Sequence, residues 1–231
     1  FTDFLDENPI TGSIESDADG IKLTVVGKAA HGMEPEKGIN AGTYLATFLK
    51  QFDIRGHAGA FIDFLASYLH LDTRVNHFNA AFATDKMGEM TMNAGILKFD
   101  QQAGGHIDMN FRYPEGITAD EILNRIKPVA ADHNFAISRA QGEVPHYVDA
   151  DDPIVTTLLK AYVDQTGDQT AQAEVVGGGT YGRLMSRGVA FGALMPDTPN
   201  TMHQPNEFQP VDDLIKSMAI YMQAIHDLVV E

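Results

Sequence analysis

The sequence predicts an α/β protein built in two parts. Residues 1–147 read as a ferredoxin-like α+β domain, and residues 148–231 as a shorter αβαβα segment. Three observations carry this. The periodic segments between about residues 20 and 140 follow a βαββαβ order. The character changes near Val148, where a charged, proline-marked entry opens a helix. A glycine run, Gly177-Gly178-Gly179, then sits between an expected strand and a short helix.

Taking the elements in order, Ile21 to Gly27 alternates apolar and polar residues as a strand does. A polar loop marked by glycine and proline follows, from Ala29 to Gly38. Leu45, Phe48, Leu49 and Phe52 then recur at helical spacing, as do Phe61, Phe64, Leu65, Tyr68 and Leu69. Two strands come next, Glu89 to Phe99 and Gly105 to Tyr113, and the turn at 100–104 makes them an antiparallel pair. Thr118-Ala119-Asp120-Glu121 forms a capping box for a helix that turns Ile122, Ile126 and Val129 inward. Phe135 to Ser138 is the expected fourth strand of a single sheet.

Past Val148, Asp152 is placed to cap a helix with Pro153 at its first position. Leu158, Leu159, Tyr162 and Val163 form its buried stripe. Strands are expected at 172–176 and 189–194, a short helix at 180–186 between them, and a terminal helix carrying Leu214, Met218, Tyr221, Met222, Ile225 and Val229. Strand–helix alternation is a parallel-sheet pattern. Two strands do not make a doubly covered sheet, so further strands are expected from elsewhere.

Composition excludes several classes of function. A formal net charge of -16 argues against nucleic acid, which demands clustered Lys and Arg. No run approaches the roughly 18 apolar residues of a membrane span. With no cysteine, disulfides, thiolate catalysis and Cys-ligated zinc are excluded, and any metal must use His and carboxylates. A cysteine-free chain suits the cytoplasm, the expected compartment. The chain opens Phe1-Thr2-Asp3 without a methionine, which leaves targeting open.

Few residues carry chemistry. Backbone amides of Gly177, Gly178, Gly179 and Thr180 suit an anion at a helix N-terminus, or simply a tight turn needing positive φ. His203 lies in a loop beyond a strand, where open α/β sheets gather ligands; a lone loop histidine can equally be a surface residue. His31 stands beside Gly32, which leaves room for a ligand, or else is an exposed loop histidine. Arg112 shares a face with Asn110 and Asp108, either to capture a carboxylate or to pair with Asp108. Asn93 can donate to an oxyanion or face water. His226 and the remaining histidines show no ligand spacing.

Taken jointly and in order, certain motifs point one way. They are Gly27-Lys28-Ala29-Ala30-His31-Gly32 with Pro35, Gly38, Asn40 and Ala41; Met92-Asn93-Ala94-Gly95; Asn110-Phe111-Arg112-Tyr113-Pro114; Gly177-Gly178-Gly179-Thr180-Tyr181; and His203-Gln204-Pro205-Asn206-Glu207. The chain resembles the co-catalytic zinc peptidases of the aminoacylase and carboxypeptidase G group, and within it the PepV-type bacterial dipeptidases.

The resemblance implies a catalytic domain holding two zinc ions, with manganese as an alternative, and a lid domain inserted into it. Residues 1–147 would then be lid and 148–231 the end of the catalytic domain. By the same resemblance His203 matches a metal ligand, and His31 the lid histidine that stabilises the tetrahedral intermediate. Arg112 matches the arginine that takes the substrate C-terminal carboxylate. Asn93 belongs to a lid asparagine motif, while Gly178, Gly179 and Thr180 line the substrate pocket. The family's His-x-Asp ligand motif and adjacent Glu-Glu pair lie N-terminal to all the motifs matched here and have no counterpart at that place in this sequence. The expectation is therefore a C-terminal fragment of a dipeptidase, inactive alone and lacking its N-terminal catalytic half. The alternative is a non-catalytic, self-associating module that forms a homodimer.

Overall fold

The computed structural model describes residues 1–18, 20–192, 194–202 and 206–230. They fall into two compact units, Phe1–Pro145 and His146–Glu231. In the first unit, α1 (Thr2–Asp6) leads into β1 (Thr11–Ser16), which pairs antiparallel with β2 (Ile21–Val26). Next come α2 (Ala41–Leu49) and α3 (Gly56–Phe64), the latter running on as a π-helical turn, Leu65–Leu69. A minimal hairpin of β3 (Ala83–Thr84) and β4 (Gly88–Glu89) precedes the long hairpin of β5 (Thr91–Asp100) and β6 (Gly104–Arg112), and α4 (Ala119–Asp132) follows.

The long hairpin turns where the sequence places its turn. The Asp100 carboxylate accepts from the amides of Gln102 and Ala103, both at 2.8 Å, and Gly104 takes φ +88°. Those amides, Ala103 first, hold the Asp100 carboxyl below its ordinary range. The expected capping box is present, with Thr118 Oγ1 accepting from Glu121 N and the Glu121 carboxylate from Thr118 N. Apolar residues four apart on α4, Ile122 and Ile126, join Phe61, Phe64, Leu65, Met90 and Met92 in one buried core.

The single four-stranded ferredoxin-like sheet is not found among the described residues. Three separate two-stranded sheets stand in its place. The partner of β2 is β1, a strand the sequence reading omits because it is exposed throughout and carries a single large apolar residue, Ile14. Phe135–Ser138 forms no ladder. Asn134 turns the chain at φ +62°, and the Phe135 ring packs 4.9 Å from that of Phe64 and 6.0 Å from that of Phe61. Burial of that ring fixes the segment without a strand partner.

In the second unit, α5 (Pro153–Thr166) opens at Asp152, whose carboxylate accepts from Ile154 N at 2.9 Å, and closes at Gly167 with φ +77°. It packs on α6 (Val211–Val229) through Leu158, Ala161 and Ala224, with Val189 and Phe191 against them. Residues 172–176 form no ladder; nor do the described residues of 189–194. A strand needs a neighbour for its amides and carbonyls, and none of the described residues supplies one. The expected helix at 180–186 is a single 3₁₀ turn, Tyr181–Leu184. On α6 a second apolar seam at Val211, Ile215, Met218, Met222, Ile225 and Val229 stays exposed. Its spacing of four and three residues is that of a helix–helix contact.

Candidate functional site

The site is built around a loop with a narrow neck. Residues 29–38 leave β2 and return through a bridge in which Lys28 N donates to Ile39 O at 3.0 Å and Ile39 N to Lys28 O at 2.9 Å. Gly27 makes that neck possible, since a Cβ there would lie 2.1 Å from Ile39 O. His31 sits in the loop half-buried, and its Nδ1 accepts from Met33 N at 3.2 Å. A neutral ring in that role carries its proton on Nε2, which is then the donor.

The loop is tied to the long hairpin. Asn40 caps α2 through Oδ1, 3.3 Å from Thr43 N, while its Nδ2 donates to Ala94 O on β5 at 2.9 Å. Arg74 ties Glu36 of the loop, at 3.3 Å, to Glu89 beside β5, at 3.0 Å. Gly32 brings the loop over β6, because a Cβ there would meet Asn110 Oδ1 at 4.0 Å. An open cleft of about 200 Å³ borders this region, lined in part by Asn40, Thr43, Thr73 and Asn93.

Register completes the arrangement. Asn93 pairs with Asn110, and Thr91 with Arg112. Directly opposed residues of an antiparallel pair share a face, so Thr91, Asn93, Asn110 and Arg112 form one polar patch, with Met92 and Phe111 on the other face. The structure thus brings His31, Asn93 and Arg112 to one end of one hairpin.

The expected pairing of Arg112 with Asp108 is not found. No hydrogen bond or ion pair from the described residues reaches the Arg112 guanidinium, and its Nε is buried without a partner. Thr91 Oγ1 is buried and unpartnered in the same way. Each such group costs about 1–3 kcal/mol, an expense that points to a ligand. Sequence reasoning passed over Thr91, although its signal was available in the two-residue step from Asn93.

Nearby, the segment 71–79 holds three non-glycine residues in the left-handed region: Leu71 at φ +58°, Val75 at +63° and Asn79 at +53°. The buried Asp72 carboxylate fixes it, accepting from the amides of Arg74 and Asn76 at 3.0 Å and of His77 at 2.8 Å. Thr73 O then accepts from Met92 N at 2.9 Å, covering the outer edge of β5. A β-branched residue at positive φ is strained, and the full burial of Val75 holds it there.

In the second unit, Gly178 is half-buried, and Thr180 Oγ1 accepts from Gly182 N at 3.2 Å. Gly179 does not need a positive φ; a Cβ there would press to 3.0 Å on Arg183 Nη1. His203 lies outside the described residues. Among the described residues no group of three or more His, Cys, Asp or Glu is placed to hold a metal. Nor is any described helix long and apolar enough to cross a membrane.

Mixed helices and small sheets of this kind are consistent with an α/β peptidase domain. The chain belongs to peptidase family M20/M25/M40, whose sequence model matches residues 12–227. Members of that family are generally metal-dependent, typically on zinc. Among curated proteins it is 39% identical over its full length to a protein of Staphylococcus saprophyticus named "putative dipeptidase". It is 38% identical to similarly named proteins of Staphylococcus epidermidis and Staphylococcus haemolyticus. In each case the match takes in 49% of the relative, so the chain spans about half the length of the curated relatives it matches.

Proposed function

We propose that this chain is the C-terminal part of a metal-dependent dipeptidase of the PepV type. On this reading the first unit is its lid and the second the end of its catalytic domain. The observation that carries the proposal is Arg112, whose buried Nε has no partner among the described residues and which lies across the hairpin from Thr91, diagonal to Asn93 and two residues along β6 from Asn110, where the His31 loop comes near at Gly32. In that role Arg112 takes the substrate C-terminal carboxylate, and so selects substrates with a carboxylate one residue beyond the scissile bond. His31, its Nδ1 occupied by Met33 N, presents Nε2–H to the carbonyl oxygen as charge develops there. Asn93 adds a second polar contact.

His203 is this chain's candidate metal ligand, and the carboxylates of a two-metal site would come from polypeptide outside residues 1–231. Residues 172–176 and the described residues of 189–194, which form no ladder, would then pair with strands of that same polypeptide, and the exposed seam of α6 would pack beneath them.

The test begins with the 231-residue chain, purified and assayed for bound zinc or manganese and for dipeptide hydrolysis. Neither metal in stoichiometric amount nor turnover is expected, and both together would overturn the fragment reading. In the complete enzyme, dipeptides should be cleaved in strong preference to their C-terminal amides. Equal rates would overturn the carboxylate role.

The α6 seam favours a second reading, a self-associating module without catalysis, because an exposed heptad-like apolar stripe invites a partner helix. Sedimentation of this chain separates the two: a stable dimer broken by Met222→Glu supports the second reading, and a monomer removes it.

A further inference from the structure

We infer that Thr91 is a second donor to the same carboxylate as Arg112, a residue of substrate recognition in its own right; the inference rests on the carboxylate role proposed above. Thr91 and Arg112 are opposed in register on β5 and β6, so their side chains leave the sheet side by side on one face. Their buried atoms Oγ1 and Nε are the two side-chain atoms of the described residues that are shielded from solvent yet have no hydrogen-bond partner. That the two fall on one register pair is the key fact, since opposed side chains on one face are placed to share a single acceptor.

The chemistry of that acceptor follows from the donors. Arg112 Nε–H only donates, and the Thr91 hydroxyl is free to donate, so the missing group is an acceptor. A carboxylate engages guanidinium side-on, one oxygen on a terminal nitrogen and the other on Nε. The oxygen on Nε lies on the Thr91 side, where the hydroxyl gives it a second hydrogen bond. Arg112 as a whole is half-buried, which leaves part of it reachable from outside. A neutral amide at the substrate C-terminus offers one acceptor and adds donors that would face Arg112, so the pair discriminates acid from amide.

The experiment uses the ¹⁵N-labelled 231-residue chain, titrated with glycylglycine and with glycylglycinamide, while the Arg112 Nε–H resonance is followed. Glycylglycine should shift that resonance and the amide should not. Thr91→Val should weaken glycylglycine binding by about tenfold, as expected for one hydrogen bond to a charged group. Thr91→Ser, which keeps the hydroxyl, should stay within about twofold of the parent for the same reason. Unchanged affinity in Thr91→Val, with Arg112 still responding, would overturn the role of Thr91 while leaving that of Arg112. Equal weakening in Thr91→Val and Thr91→Ser would overturn it too, since packing and not the hydroxyl would then be the cause. No response of Arg112 in the parent chain would instead overturn the carboxylate reading itself.

Discussion

His133 Nε2 lies 3.1 Å from Asp63 Oδ2, joining the C-terminal end of α4 to α3, while His133 Nδ1 lies 2.9 Å from Val129 O. Asp63 is also held by Lys50 Nζ at 2.6 Å, and the Lys50 contact, ahead of the His133 hydrogen bond, keeps its carboxyl below the ordinary aspartate range. A carboxyl depressed in the folded state stabilises the fold above its unfolded value of about 3.9, and loses that contribution as pH falls through the folded value. Asp63→Asn should therefore flatten the fall of Tm with pH in the acid range below about 4. An unchanged acid slope would show that this cluster does not govern it.

Burial acts in the opposite sense on a second histidine. His70 packs edge-on against Tyr44, ring centroids 4.6 Å apart, with Nδ1 3.3 Å from Thr43 Oγ1. Desolvation lowers its pKa. The unfolded chain takes up the proton first, near pH 6.5, so stability is present above that value and declines as pH drops toward the folded one. Urea unfolding at pH 7.5 and at pH 5.5 should show this loss in the parent chain and a smaller loss in His70→Asn.

Removing the arginine tests the proposed site in the complete enzyme. Arg112→Ala should raise KM for dipeptides by about 10- to 100-fold, the range for a lost charge-assisted contact, with a smaller change in kcat. A Michaelis analysis giving an unchanged KM would sink the carboxylate role.

The core beneath the hairpin is tight enough to register one side chain. Met90 is 1% exposed and packs in the first unit's core. Met90→Ala should cost about 2–5 kcal/mol through lost burial and the cavity left behind. Denaturant titration reads that cost directly, and a loss under about 1 kcal/mol would mean the neighbouring side chains collapse into the space.

Much of the helical and hairpin structure was legible in the sequence, because its signals are local. The Thr118–Glu121 box, the Asp152–Pro153 start and the 100–104 turn each depend on residues within a few positions, and the structure contains all three. What was not legible depends on partners far along the chain. Exposed β1 carries no apolar alternation to announce it, and the ladder-free run at Phe135 looks like a strand until its ring is seen in the core. The second unit's expected strands fail likewise for want of neighbours, a property no short window of sequence records.

The candidate site divides along the same line. By itself the sequence determined the residue types available: no cysteine, an acidic chain, His31 between small residues, and Asn93 and Arg112 within alternating strands. Only the tertiary structure decided that Asn40 ties the loop to Ala94, that Thr91 stands opposite Arg112, and that Asp108 does not claim the guanidinium. Side-chain chemistry is written residue by residue. Which donor is left without an acceptor depends on strand register and burial, and these emerge only when distant segments pack together.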